Sequence, residues 1–268
     1  MNIESFWNEN VKMYDLSQKL SHLTPPWPTY EPLQVKFFKR LSPNGANGML
    51  VTHSNHVGTH LDGPLHFDTA GRDLASIELE KLVGPAAIAD LSDMAEDFGI
   101  YTPQDIMDRV EVKKGDILII KTGYCKYAWD EPEADEKRYM VRHPGPSLDF
   151  MDWAHEMELK WIGVDCGSAD HPMNTKIRDW EPQEAAACDA YMQKKYGKTL
   201  NEVYPWPEQY QAMHLQMFPK KYGEIIHAEC MGGDLVDLTS RRMVIGVFPW
   251  RWEGGESCIA RIVGFDNK

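Results

Sequence analysis

His56-Val57-Gly58-Thr59-His60-Leu61-Asp62-Gly63-Pro64-Leu65-His66 places three imidazoles and a carboxylate within eleven residues. His56, His60, Asp62 and His66 are all separated by an even number of positions. On a helix His56 and His60 would share a face, but Asp62 would lie roughly 240° around the axis from His56. Gly58, Gly63 and Pro64 also oppose a helix. Side chains of an extended chain alternate between two sides. The spacing therefore predicts a strand that aims all four groups into one space and ends in a tight turn at Pro64.

The flanking sequence supports a mixed α/β fold. Upstream, 35–40 and 48–53 read as strands joined by Ser42-Pro43-Asn44-Gly45, and the second leads into the histidine stretch. Before them, Leu23 to Pro32 carries four prolines in ten residues, which forces an extended loop. Its Trp27 and Tyr30 either line a substrate pocket or pack on the body of the fold. Downstream, 86–91, 117–121 and 161–165 are short apolar runs expected to be buried strands. Thr102 followed by Pro103 marks a helix start, and a second helix is expected over 147–158. The stretch 174–204 reads as an inserted helical arm, with a helix over 184–196. A further helix is expected from Trp206-Pro207-Glu208 to Gly223, carrying His214. In the strand 224–230, His227 and Glu229 share one side. The segments 244–252 and 257–265 read as a β-hairpin around Glu253-Gly254-Gly255-Glu256. No repeat or linker interrupts the chain, so one domain over 1–268 with one insertion is the economical division.

Composition narrows the function. The net charge of −13 and the lack of a basic run disfavour nucleic acid and anionic membrane surfaces as partners. The segment Met1-Asn2-Ile3-Glu4-Ser5 lacks the pattern of a secretory signal, and Ile117 to Ile120 is far too short to span a bilayer. The five cysteines are odd in number and form no CxxC, as expected of reduced thiols in a cytoplasmic protein. A metal would have to be held by imidazole and carboxylate, which suits zinc, manganese or iron.

His56, His60 and Asp62 could supply three ligands and leave a position for water, whose pKa a divalent ion lowers towards ~7. His66, on the same side, is an imidazole, the side chain best suited to general acid–base work near neutral pH. The spacing does not fit HExxH. A second cluster, His214, His227 and Glu229, contains a carboxylate in an otherwise apolar strand, costly to bury unless paired or metal-bound. With Asp62 as a bridge, the two clusters could hold two ions.

With Phe67 added, the opening stretch fits the pattern HxGTHxDxPxHF and resembles the cyclase family of metal-dependent hydrolases, the kynurenine formamidase-like proteins. His143-Pro144-Gly145, Gly163-Val164-Asp165 with Ser168 and Asp170, and Glu229-Cys230-Met231-Gly232-Gly233-Asp234-Leu235 resemble further landmarks of that family, in family order, between about residues 15 and 263. The resemblance implies a swivelling β/β/α arrangement, dimers or tetramers, and one or two zinc or manganese ions. It implies His56, His60 and Asp62 as ligands and His66 as the catalytic acid–base. The family's later ligands fall on His214 and Glu229, with His227 as the competing residue. Asp165 and Asp170 are expected to support the site or the fold. The expected activity is hydrolysis of a small, possibly aromatic amide, cyclic amide or lactone. A metal-dependent lyase or cyclase, and a metal-binding protein without turnover, are the alternatives.

Overall fold

The computed structural model describes residues 11–267, and the reading of residues 1–5 lies outside them. Among the described residues thirteen strands occur in chain order. They are β1 (Val11–Asp15), β2 (Gln34–Lys39), β3 (Gly48–Thr52), β4 (His60–Asp62), β5 (Val83–Asp90), β6 (Ile100–Tyr101) and β7 (Ile117–Lys121). The remainder are β8 (Gly145–Pro146), β9 (Trp161–Val164), β10 (Ile226–Glu229), β11 (Arg241–Phe248), β12 (Ser257–Ile259) and β13 (Arg261–Asn267). Nine of them form one mixed sheet in the order β1-β13-β11-β5-β7-β9-β10-β4-β12. Its middle is parallel: β5, β7, β9 and β10 run the same way, joined by crossovers that carry the helices. Both flanks are antiparallel.

The apolar runs are continuous because each parallel strand is covered on both faces. Leu118, Ile120, Ile162 and Val164 face one core, which the helices cover. Ile117, Ile119, Trp161 and Ala228 face a second core, closed by Leu61, Ile245 and Ile262 from the antiparallel strands. Register carries the first face across to the histidine stretch: Ile162 lies beside His227, and His227 beside Asp62. The stretch 174–204 folds into helices at Ile177–Trp180, Pro182–Tyr196 and Leu200–Val203. Among the described residues, no helix is long and apolar enough to cross a membrane.

Three expectations need correction. The strand through the histidine stretch is only His60–Asp62. Gly58 adopts a left-handed φ of 63° that turns the chain before it, and Pro64–His66 forms a single 3-10 turn after it. The helix expected from Trp206 is confined to Ala212–Met217, because Gln211 is left-handed (φ 42°) and donates its N–H to the Asn174 carbonyl. The segment around 253–256 is not a hairpin turn. β11 pairs with β13, while β12 leaves them and pairs with β4.

Candidate metal centre

β4 lies between β10 and β12, and its side-by-side neighbours build the site. His60 is opposite Glu229, and Asp62 is opposite both His227 and Ser257. Leu61 between them points into the second core, which anchors the strand. His60 donates its Nδ1–H to the Gly58 carbonyl at 2.8 Å, within the turn that Gly58 permits. Its Nε2 then faces Asp62 Oδ1 at 3.4 Å and Glu229 Oε2 at 3.8 Å.

His56 reaches the same carboxylate from the other side of the turn, with Nδ1 3.1 Å from Asp62 Oδ1. Its Nε2 lies 3.0 Å from Glu256 Oε2 and 3.0 Å from Ser257 Oγ. His214 comes from the helix Ala212–Met217. Asp170 accepts the backbone N–H of Met213 at 3.0 Å and of His214 at 3.4 Å, and takes His214 Nδ1–H at 2.6 Å. His214 Nε2 therefore faces Glu229 Oε1 at 3.5 Å and Asp62 Oδ2 at 3.7 Å. Each of these three imidazoles has one nitrogen engaged from outside and the other turned towards Asp62 and Glu229. Asp62 Oδ1 faces His56 and His60, and Oδ2 faces His214.

His66, on its 3-10 turn, stacks on His56 with ring centroids 4.3 Å apart, and its Nδ1 is 2.9 Å from Glu256 Oε2. His227 is fully buried between His214 and Phe218, and neither ring nitrogen has a hydrogen-bond partner. The sequence-derived residues thus converge, including both residues proposed from the distant second cluster. Asp165 supports the fold instead: its carboxylate accepts the Thr122 hydroxyl and the N–H groups of Thr122 and Gly123.

The electrostatics follow from burial. Desolvation opposes charge on His56, but Asp62 and Glu256 outweigh it and raise the imidazole to about 10. His214 is likewise raised to about 10 against its burial, by Asp170 and Asp62. Burial holds His60 down to about 4 and His227 well below the ordinary range. Burial also opposes charge on Asp62, but the three imidazoles of its own stretch hold it well below the usual carboxylate range. Burial and the neighbouring Asp62 push Glu229 up.

The donor set fits a divalent cation. Asp62 is 1% exposed, and neither of its oxygens, nor His60 Nε2, has a hydrogen bond of acceptable geometry among the described residues. A buried carboxylate in that state is costly unless a cation compensates it. Mixed imidazole and carboxylate donors suit zinc or manganese. Among the described residues, candidate donor atoms group as His56–His60–Asp62, His214–His227–Glu229, Asp62–His66–His214 and His56–His66–Glu256, the atoms of each group within 4.8 Å of one another.

A cavity of about 210 Å³ adjoins the cluster, walled by Trp27, Tyr30, Trp180 and Tyr210. Trp27 packs edge-on against Tyr30 and Trp180, and Tyr30 packs against His56. Burial, then Asp62, pushes the Tyr30 phenol up to about 12, so it stays a neutral hydrogen-bond donor. Glu256, expected only as part of a β-hairpin turn, is a site residue to which the sequence did not point. Only the pairing of β12 with β4 brings that residue to the site, and no local pattern signals that pairing.

The chain matches the Cyclase family, described as "Putative cyclase", over residues 14–171. It is 30% identical over 164 residues to the kynurenine formamidase of Bacillus cereus, covering 60% of this chain and 71% of that protein. It is 28% identical over 163 residues to the kynurenine formamidase of Geobacillus thermodenitrificans, with 60% and 71% covered. The fold superposes on isatin hydrolase A from Ralstonia solanacearum with a TM-score of 0.73 at 19% identity, covering 95% of this chain and 92% of that one. For isatin hydrolase A from Labrenzia aggregata bound to benzyl benzoate, the TM-score is 0.71 at 17% identity, with 96% and 94% covered.

Proposed function

The chain belongs to the cyclase family and is a metal-dependent hydrolase, and we propose that it cleaves a small, flat amide, cyclic amide or lactone. The observation that carries the reading is Asp62: a buried carboxylate whose oxygens face three imidazoles and lack a hydrogen bond. His56, His60 and Asp62 would hold the ion, and His214 and Glu229 would complete the set or hold a second ion with Asp62 shared. Zinc or manganese there would lower the pKa of a water and polarise the scissile carbonyl.

The protein's own groups divide the remaining work. His66 Nε2 takes a proton from the attacking water and returns it to the leaving nitrogen or oxygen. Asp170 keeps His214 oriented, and Trp27 and Tyr30 hold the substrate's ring against the site. The aromatic walls favour a planar substrate.

The same reading takes 1–268 as one catalytic domain with 174–204 as its helical insertion, acting as a homo-oligomer. The β2–β3 hairpin supports the oligomer: Phe37, Phe38, Met49 and Leu50 are all exposed on it. The five cysteines are free and buried, which suits the reducing cytoplasm.

The test is metal analysis of the purified protein, coupled to a screen of N-formyl amides, cyclic amides and lactones. Hydrolysis in oxygen-18 water must label the product; unlabelled product points to a lyase. Protein that binds neither zinc nor manganese and stays inert overturns the reading. His66→Ala is expected to keep its metal and lose turnover by about 100-fold or more. Full activity in that variant removes His66 from the mechanism.

A further inference from the structure

Glu256 sits where β12 meets the end of β4, and its carbonyl accepts the Gly63 N–H at 2.8 Å. That bond places its side chain beside the turn on which His66 stands. Its carboxylate meets four donors. Oε1 accepts Asn55 Nδ2–H at 2.9 Å and the Ser257 hydroxyl at 2.7 Å. Oε2 lies 3.0 Å from His56 Nε2 and 2.9 Å from His66 Nδ1.

We infer that Glu256 is a positioning residue that fixes the tautomers of His56 and His66 together. An ionised carboxylate only accepts hydrogen bonds. Both imidazoles must therefore donate to it, His56 through Nε2–H and His66 through Nδ1–H. In the neutral rings, the state that binds a metal or accepts a proton, each is left with its lone pair on the other nitrogen. For His56 that nitrogen is Nδ1, which faces Asp62. For His66 it is Nε2, the nitrogen that Glu256 does not engage, on a ring that groups with Asp62 and His214. One surface-turn carboxylate thereby presents a metal-binding lone pair and a proton-accepting lone pair at once. When His66 takes a proton from water at Nε2, the resulting imidazolium lies against the Glu256 carboxylate, which stays ionised throughout. The proton then leaves from Nε2 to the departing group, and Glu256 carries none of it.

The two rings do not depend on Glu256 equally. His56 Nε2 has a second acceptor, Ser257 Oγ at 3.0 Å. His66 Nδ1 has no other acceptor among the described residues. Removal of the carboxylate should therefore spare metal binding and damage proton transfer. The inference rests on the hydrolase reading for its catalytic half, but the tautomers can be read without turnover.

The experiment compares wild type with Glu256→Gln, both loaded with zinc. Long-range 1H–15N spectra of labelled histidine should show His66 protonated at Nδ1 in wild type and mixed between tautomers in the variant. Zinc per chain should stay the same. On whichever screened amide or lactone the wild type cleaves, kcat should fall about 100-fold with KM within threefold. Glu256→Ala is the second variant. It opens the side chain's place towards the solvent-facing hollow that Glu256 shares with His56 and His66, and added formate should restore part of kcat. An unchanged His66 tautomer in the Gln variant, unchanged kcat, or loss of zinc instead of turnover overturns the proposal. A wild type with the expected tautomers but no hydrolytic activity refutes the hydrolase reading and leaves the positioning role standing.

Discussion

At the residue scale, Asp170 links the local fold to the site. It accepts the first free N–H groups of the helix Ala212–Met217 and, through the same carboxylate, His214 Nδ1–H at 2.6 Å. The bond fixes which nitrogen of His214 faces Asp62 and Glu229, and raises its basicity. Asp170→Asn keeps the shape and removes the charge. Zinc affinity measured by chelator competition should fall about 10- to 100-fold. An affinity within threefold of wild type would leave Asp170 a helix cap and nothing more. Residues of this kind were partly legible in the sequence. His56, His60, Asp62 and His66 stand close together, and their even spacing is a local property that survives being read from one dimension. The four side chains do converge, but a glycine turn and a 3-10 turn, not one long strand, bring His56 and His66 in. His227 and Glu229 were placed on one side correctly, since both lie within one real strand. Glu256 was invisible because its neighbours at the site are 200 positions away in sequence for His56 and 201 for Asn55.

At the scale of elements, the β2–β3 hairpin is the part whose surroundings are least complete. Among the described residues it pairs only with itself, as a two-stranded ribbon, and nearly every residue in it is exposed. An isolated two-stranded ribbon is marginally stable in water, and this one exposes apolar side chains on both faces, Phe37 opposite Met49 on one and Phe38 with Leu50 on the other. The ribbon is also tied to the site at both ends: Trp27 and Tyr30 precede it, and His56 follows it. In the proposed homo-oligomer it packs against a second copy. Phe38→Glu combined with Leu50→Glu should convert the assembly to monomer in light scattering coupled to size exclusion. Wild type that is already monomeric, or a double variant of unchanged mass, refutes that arrangement. The hairpin was legible because Asn44-Gly45 between two apolar stretches is a local turn signal, and Gly45 does adopt the left-handed φ of 71°. The buried strands β5, β7 and β9 were legible because a short unbroken apolar run has few alternatives. The pairing of β12 with β4 and the shortness of the helix that carries His214 were not, because both depend on contacts between distant segments.

At the scale of the whole molecule, the site couples stability to protons and to metal. Without a cation, His56 and His214 are raised to about 10, against about 6.5 in the unfolded chain. Groups with raised folded pKa values stabilise fully below the unfolded value, and that stability is lost as pH rises towards the folded one. Glu229, also raised by burial and by Asp62, acts in the same direction from the ordinary carboxylate range upwards. Asp62 and Glu256 are lowered, so their contribution is complete above about pH 5 and does not change beyond it. His60, His227, His143 and His171, held down by burial, act the other way near pH 6.5, but their unfolded-state protons are largely gone by about pH 7.5. Between about pH 7.5 and 9 the folded metal-free protein thus binds more protons than the unfolded chain, and its stability falls with pH. One such group changes stability by about 1.4 kcal/mol per pH unit at most, which is about 3–5 °C in Tm for a protein of this size. A divalent cation takes the place of those protons. It competes with them less as pH rises, so its affinity and the stabilisation it gives both grow across the same window. Calorimetry of chelator-treated protein from about pH 7.5 to 9 should show Tm falling by several degrees, with a much flatter profile in excess zinc. The gap between the two curves should therefore widen towards pH 9. A metal-free Tm that is level or rising over that range, or a zinc effect equal at both ends, would mean that His56 and His214 do not carry the protons their carboxylate neighbours hold in place.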